Sequence, residues 1–240
     1  MERRIKSRSR RPSFAAMLYS TALHGFEILP ALLSPEETTA LTETLGSGAD
    51  GAGNRGVLAY PAVAALAQSE RLLDLVRPHL PDRPLAVRAL LFNKSPDANW
   101  LVPWHQDLTL ALREKRDTPG FGPWSVKDGT PHVQPPAELL EQMLTVRLHL
   151  DDTAADNGAL RVIPGSHAAG RLSATQIQKW RTATPGVLCA VPAGGALLMR
   201  PLLLHASARS TSLRPRRILH LEFAGFRLPE GLQWQAAVGS

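Results

Sequence analysis

From residue 85 to residue 223 the chain is a succession of short apolar segments, and this spacing constrains the fold more than any other feature. Segments 85–92, 100–110, 144–150, 160–163, 186–191, 196–199, 202–206 and 217–223 all have strand length and strand composition. Asn157-Gly158, Pro164-Gly165, Gly194-Gly195 and Arg214-Pro215 punctuate them as turns. Many short strands in one chain bury their apolar faces best as two sheets packed on each other. The expectation is a mainly β, jelly-roll core.

Helical signals flank this core. Ser34-Pro35-Glu36-Glu37 is a capping box with proline at the first helical position, predicting a helix to about Leu45. It follows a short strand at 25–29 and precedes a glycine-rich loop at 46–56. Apolar Val63, Leu66, Leu73 and Val76 predict one amphipathic helix over 62–79, and Ser173-Ala174-Thr175-Gln176 opens another. Helices packed on the N-terminal side of the β core are therefore expected. Residues 111–137, with Pro119-Gly120, Gly122-Pro123 and Pro135-Pro136, match no regular element and read as a long loop. Such a loop directly after the 100–110 strand suggests a lid.

At 240 residues the chain suits one domain, expected over 17–240. Its net charge of +6 is concentrated at the start, where Arg3, Arg4, Lys6, Arg8, Arg10 and Arg11 face only Glu2. Residues 1–16 read as a basic, disordered tail, or as lying upstream of a start at Met17. The remainder is close to neutral and lacks the broad basic footprint of a specific nucleic-acid binder. The single cysteine, Cys189, cannot form an internal disulfide, which fits a reducing, cytoplasmic setting. No apolar run approaches 18 residues, so no membrane span is expected, and the stretch 14–23 is too short and mixed for a signal peptide.

The chemistry concentrates at Trp104-His105-Gln106-Asp107. On a strand, residues i and i+2 share a face, so His105 and Asp107 are delivered side by side as metal ligands. His205, at the end of Leu202-Leu203-Leu204, is a third ligand candidate from a distant strand. Two histidines and one carboxylate on one face leave positions open for Fe(II) oxygen chemistry. A zinc hydrolase can use the same set, and so can a non-catalytic metal-binding protein. Arg216 sits where a strand begins. A buried arginine needs an anion, and either a cosubstrate carboxylate or a protein carboxylate such as Glu222 or Asp152 would serve. The zinc reading leaves Arg216 unexplained.

These residues resemble the phytanoyl-CoA dioxygenase family. The likeness rests on His105-x-Asp107, on Asp151-Asp152 with the run Asn157-Gly158-Ala159-Leu160-Arg161-Val162-Ile163-Pro164-Gly165-Ser166-His167, and on His205-x-Ser207 with Pro215-Arg216, over roughly residues 25–225. It implies a double-stranded β-helix (cupin-like) core that binds Fe(II) and uses 2-oxoglutarate and O2. His105, Asp107 and His205 match the iron ligands. Arg216 matches the arginine that holds the distal carboxylate of 2-oxoglutarate, Ser207 a supporting hydroxyl, and Lys94 a polar cosubstrate contact. Family halogenases replace the carboxylate ligand with a small residue. Asp107 is present, so the resemblance implies hydroxylation of a small organic molecule, with release of succinate and CO2.

Other residues carry weaker readings. Thr109 shares the face of Asp107 and is expected to line the site, whereas Gln106 should point away from it. Trp124 and His132, in the expected lid, are candidates to touch substrate. Arg147 is either an anion contact or part of a solvated face. His149 and His220 read as core or supporting histidines, and His167 as a brace of its own turn.

Overall fold

A computed structural model describes residues 19–46, 53–96 and 98–239; the basic tail lies outside them. The architecture is mainly β, a double-stranded β-helix. Strand β1 (Phe26–Leu29) leads into helix α1 (Pro35–Leu45), whose capping box forms as expected: Ser34 Oγ accepts from the Glu37 N–H and Glu37 Oε2 accepts from the Ser34 N–H. After β2 (Gly53–Asn54), the helix predicted over 62–79 is instead two, α2 (Pro61–Ala67) and α3 (Glu70–Val76), followed by a 3-10 turn at Arg77–His79. Ser69 divides them. Its hydroxyl accepts from the Leu72 N–H and donates to Leu66 O, capping the second helix and ending the first.

The long strands follow. β3 (Leu85–Lys94), β8 (Met143–His149), β11 (Ala196–Met199) and β13 (Arg216–Ala224) join β1 and β2 in a six-stranded sheet ordered β1-β11-β8-β13-β3-β2. β4 (Val102–His105), β9 (Leu160–Val162), β10 (Val187–Cys189) and β12 (His205–Ser207) form a four-stranded sheet ordered β10-β9-β12-β4. All pairings are antiparallel.

The larger sheet is buried on both faces, so its strands read as near-continuous apolar runs. Alternation still sorts them. Leu144, Val146 and Leu148 on β8, with Leu219, Leu221 and Phe223 on β13, pack against Leu41, Val63, Leu72 and Val76 of the helices. The alternate positions, Thr145, Arg147 and His149 with Arg216, Ile218, His220 and Glu222, turn the other way, toward the smaller sheet. Phe26, Val162, Leu197 and Met199 close one part of the space between the sheets. A polar cavity occupies another.

Residues 111–137 depart from expectation. They contribute to a third sheet, β5-β7-β6, built from β5 (Leu110–Ala111), β6 (Trp124–Lys127) and β7 (Thr130–Val133), and a short helix α4 (Ala137–Glu141) follows. Asp128 and Gly129 both take positive φ, 48° and 76°, forming the two-residue turn between β6 and β7. Asp-Gly is a strong hairpin signal, obscured here by the surrounding prolines. Helix α5 (Ala174–Ala183) carries the second capping box as expected.

Candidate metal centre

His105 and His205 are opposite partners in the β4–β12 ladder. The ladder slips by one residue next to them, where Ser207 pairs with Val102, and Pro103, which has no N–H to donate, falls in the irregular stretch. The ring centres are 4.2 Å apart. The strand predicted over 100–110 in fact ends at His105, so Asp107 lies beyond β4 rather than on it. Its N–H donates to Pro201 O at 2.9 Å, which brings its carboxylate back over the two rings. Asp107 Oδ1 is 3.7 Å from His105 Nε2, and Oδ2 is 3.7 Å from His205 Nε2. Similarly, the strand expected over 202–206 is displaced to His205–Ser207, with His205 at its start.

Each histidine Nδ1 lies 2.9 Å from the carbonyl two residues before it, Pro103 O for His105 and Leu203 O for His205. A carbonyl only accepts, so the proton is on Nδ1 and the Nε2 lone pair is free. Burial pushes the His205 pKa down to about 4, keeping this ring neutral. Burial also disfavours charged His105, but Asp107 outweighs it and raises that pKa. Burial opposes the Asp107 carboxylate, yet the imidazoles of His205 and His105 hold it well below the usual range. The three ligand atoms lie within 4.8 Å of one another. Three lone-pair donors aimed at one point repel unless a cation sits there, so the set fits a metal ion with three protein ligands.

The family-like run around Asn157 and Ser166 builds the frame of this centre. Ser166 Oγ accepts from the Leu204 N–H, next to His205, and donates to Ile163 O. Asn157 is fully buried and ties its own loop through Ala154 N and Asp152 O. Gly158 has φ +77°, and a Cβ there would lie 2.8 Å from Ala208 O and 2.9 Å from Lys94 Nζ. Its carbonyl accepts from both Arg216 Nη1 (3.0 Å) and Ser207 Oγ (2.9 Å), and Lys94 Nζ donates to Ser207 Oγ at 2.7 Å. Lys94, Ser207 and Arg216 therefore gather around one carbonyl, with Lys94 and Arg216 in register on β3 and β13.

Arg216 is buried, and among the described residues its Nε meets no acceptor. Neither protein carboxylate considered for it is its partner: Glu222 pairs with Arg88 at 3.2 Å, and Asp152 accepts from the Ala193 N–H. Asp151 is taken by Arg217 at 2.6 Å. Burial lowers the pKa of Arg216 to about 9, with Arg147 adding to it, and burial lowers that of Lys94 to about 8.

A cavity of about 430 Å³ connects the three ligands with Arg216 and Ser207. Thr109 and Arg147 line it; Trp124 does not, its indole packing instead on the cluster of Leu110, Leu112 and Val133. Arg147 is buried, which corrects the solvated-face reading. Its Nη1 donates to His220 Nδ1 at 2.8 Å, so His220 carries its proton on Nε2, 3.3 Å from Glu222 Oε1. Arg147, His220, Glu222 and Arg88 thus form a polar row across the larger sheet. Gln106 borders the cavity, but its side-chain amide is turned to Leu202 O, Gly170 O and the Leu172 N–H. His149 pairs with Thr153, His167 with Ala22 O, and His132 with Thr130 O. Lys127 and Arg88 also line the cavity and were not singled out from sequence; the Asp128-Gly129 turn and the alternation along β3 were the available signals.

The family model for Phytanoyl-CoA dioxygenase (PhyH) matches residues 22–218. A relative from Stutzerimonas stutzeri, "Probable alpha-ketoglutarate-dependent hypophosphite dioxygenase", is 26% identical over 181 residues, covering 70% of this chain and 54% of that protein. The chain thus spans about half the length of that relative. AviO1 from Streptomyces viridochromogenes Tue57 shares 20% identity and a TM-score of 0.64, covering 92% of this chain and 99% of that one. EctD from S. alaskensis, solved with 2-oxoglutarate and 5-hydroxyectoine, shares 17% identity and a TM-score of 0.66 over 92% and 85% of the two chains. These structures share the fold.

Proposed function

The chain belongs to the phytanoyl-CoA dioxygenase family of 2-oxoglutarate-dependent non-haem iron enzymes, and from that premise we propose that it hydroxylates a small organic molecule, releasing succinate and CO2. One observation carries this reading: the three-ligand set and a buried arginine, Arg216, with no carboxylate partner among the described residues open into the same cavity. A bare metal site needs no such arginine. A cosubstrate with a distal carboxylate does.

His105, Asp107 and His205 would hold Fe(II) through Nε2, a carboxylate oxygen and Nε2. Arg216, supported by Ser207 and Lys94, would hold the distal carboxylate of 2-oxoglutarate. Bound there, iron with 2-oxoglutarate and O2 would supply the oxidising power, with one oxygen atom destined for succinate and the other for the substrate. The protein's part is positional. Pro103 O and Leu203 O fix both imidazoles, the Gly158 carbonyl fixes Arg216, and Leu90, Phe92 and Leu160 give the cavity a dry wall. Among the described residues lining the cavity, Glu222 is the only carboxylate besides Asp107, and Arg88 and His220 engage it. That disfavours a zinc hydrolase, which needs a free general base. No helix among the described residues is long and apolar enough to cross a membrane. A cytoplasmic location is part of this proposal, supported by the lone buried thiol Cys189.

Anaerobic titration with Fe(II) and 2-oxoglutarate tests the reading. The expected result is a weak visible charge-transfer band, and succinate formation on admission of air. Absence of both would overturn it.

A further inference from the structure

The cavity contains positive charge that the protein does not balance. Arg55 is met by Asp128 at 2.5 Å and Arg88 by Glu222 at 3.2 Å. Arg147 has no such partner among the described residues. It is 5% exposed, one N–H goes to the neutral ring of His220, and its Nε–H meets no acceptor. Phe92 covers it, with the ring centre 5.4 Å from the guanidinium carbon. Keeping an unpaired guanidinium out of water is costly unless an anion comes to meet it.

With the site occupied as proposed above, 2-oxoglutarate and Asp107 would bring three negative charges, and Fe(II), Arg216 and Lys94 four positive ones. A positive remainder is left, and Arg147 within the cavity and Lys127 at its mouth, beside Thr109 at 3.3 Å, add to it. The cavity, about 430 Å³, must also hold 2-oxoglutarate, so little space is left for a large molecule.

We propose that the substrate is a small organic anion, a carboxylate, phosphonate or sulfonate, whose charged head is held by Arg147, with Lys127 above it and its carbon chain against Leu90, Phe92 and Leu160. This rests on the Fe(II) and 2-oxoglutarate reading of the same site. Bidentate oxyanion recognition suits the guanidinium, and a neighbouring ammonium adds charge without demanding geometry.

The test has two arms. Protein loaded anaerobically with Fe(II) and 2-oxoglutarate is titrated calorimetrically with butanoate, methylphosphonate and ethanesulfonate, and with uncharged butanamide. Metal-free protein is melted with the same compounds. At least one anion is expected to bind the loaded protein and raise the melting temperature of the metal-free protein, and butanamide to do neither. R147M should weaken that anion by roughly 30-fold or more and 2-oxoglutarate far less, whereas R216M should show the reverse ratio. Equal binding of butanamide, or no binding by any anion, overturns the proposal on wild-type protein alone. It also falls if R147M weakens 2-oxoglutarate as strongly as R216M does, since Arg147 would then serve the cosubstrate. A missing charge-transfer band alongside Arg147-dependent stabilisation by anions would remove the oxygenase reading and leave the anion site standing.

Discussion

His105 and His205 stand opposite each other in the β4–β12 ladder with ring centres 4.2 Å apart, and Asp107 lies 3.7 Å from each ring through a different oxygen. A metal held there is bound by one register pair and one residue past the strand end. The carboxylate is the only charged member of the set when both rings are neutral.

Asp107→Ala should therefore lower Fe(II) or Ni(II) affinity by at least roughly 100-fold, the upper range for losing even an outer partner of a ligand. Metal titration of the purified variant reads this directly. A loss under tenfold would show that Asp107 is not a ligand.

Arg216→Met should weaken 2-oxoglutarate by roughly 30-fold or more while metal affinity stays within a few-fold, because Arg216 bonds Gly158 O and no metal ligand. Metal and cosubstrate titrations on one preparation separate the two. Equal loss of both would refute the cosubstrate role.

Gln106→Ala removes three hydrogen bonds, two of them buried, to Leu202 O, Gly170 O and the Leu172 N–H, between the segment just past β4 and the loops that lead to His205 and α5. Leaving those groups unpaired should cost about 3 kcal/mol of stability. Urea unfolding measures it, and a change below about 1 kcal/mol would mean the network relaxes around the gap.

Gly158→Ala should lower both stability and 2-oxoglutarate affinity. The residue has φ +77°, and the added carbon would meet Ala208 O and Lys94 Nζ under 3.0 Å. About 1–3 kcal/mol of strain is expected, with displacement of the carbonyl that receives Arg216. Wild-type cosubstrate affinity in a stably folded variant would detach the Asn-Gly turn from the anion site.

His149 gives a pH dependence. Burial holds its pKa well below the ordinary value near 6.5, and Arg147 and Arg216 add to the effect. The unfolded chain takes up a proton as pH falls through about 6.5, and the folded chain does not until lower pH. Stability is therefore fully present above that value and declines below it. Urea midpoints of the metal-free protein should fall between pH 7 and pH 5, less so for His149→Gln. A flat wild-type profile would contradict the burial of a neutral imidazole.

The local signals that held are those in which neighbouring residues satisfy one another. Ser34 with Glu37 and Ser173 with Gln176 form their boxes because both partners lie within one helical turn. The same locality explains two misses. Ser69 ended a helix that apolar periodicity alone ran through, and Asp128-Gly129 made a hairpin inside a stretch read as loop.

Residue types and order were enough to single out His105, Asp107, His205 and Arg216, since few side chains offer that chemistry and the run around Asn157 accompanies them. They also implied two packed sheets, because short apolar segments have no other efficient burial. Tertiary structure alone decided that Asp107 reaches the rings from beyond the strand, through its N–H on Pro201 O, and that Trp124 packs away from the cavity. It also decided that Arg147 is buried and meets no carboxylate among the described residues, while Arg88 on the same side of the sheet is paired with Glu222. Alternation along β8 could say only that Arg147 shares a face with Thr145 and His149. Which charges meet which depends on register between strands distant in the chain, and register is set by packing across the whole sheet.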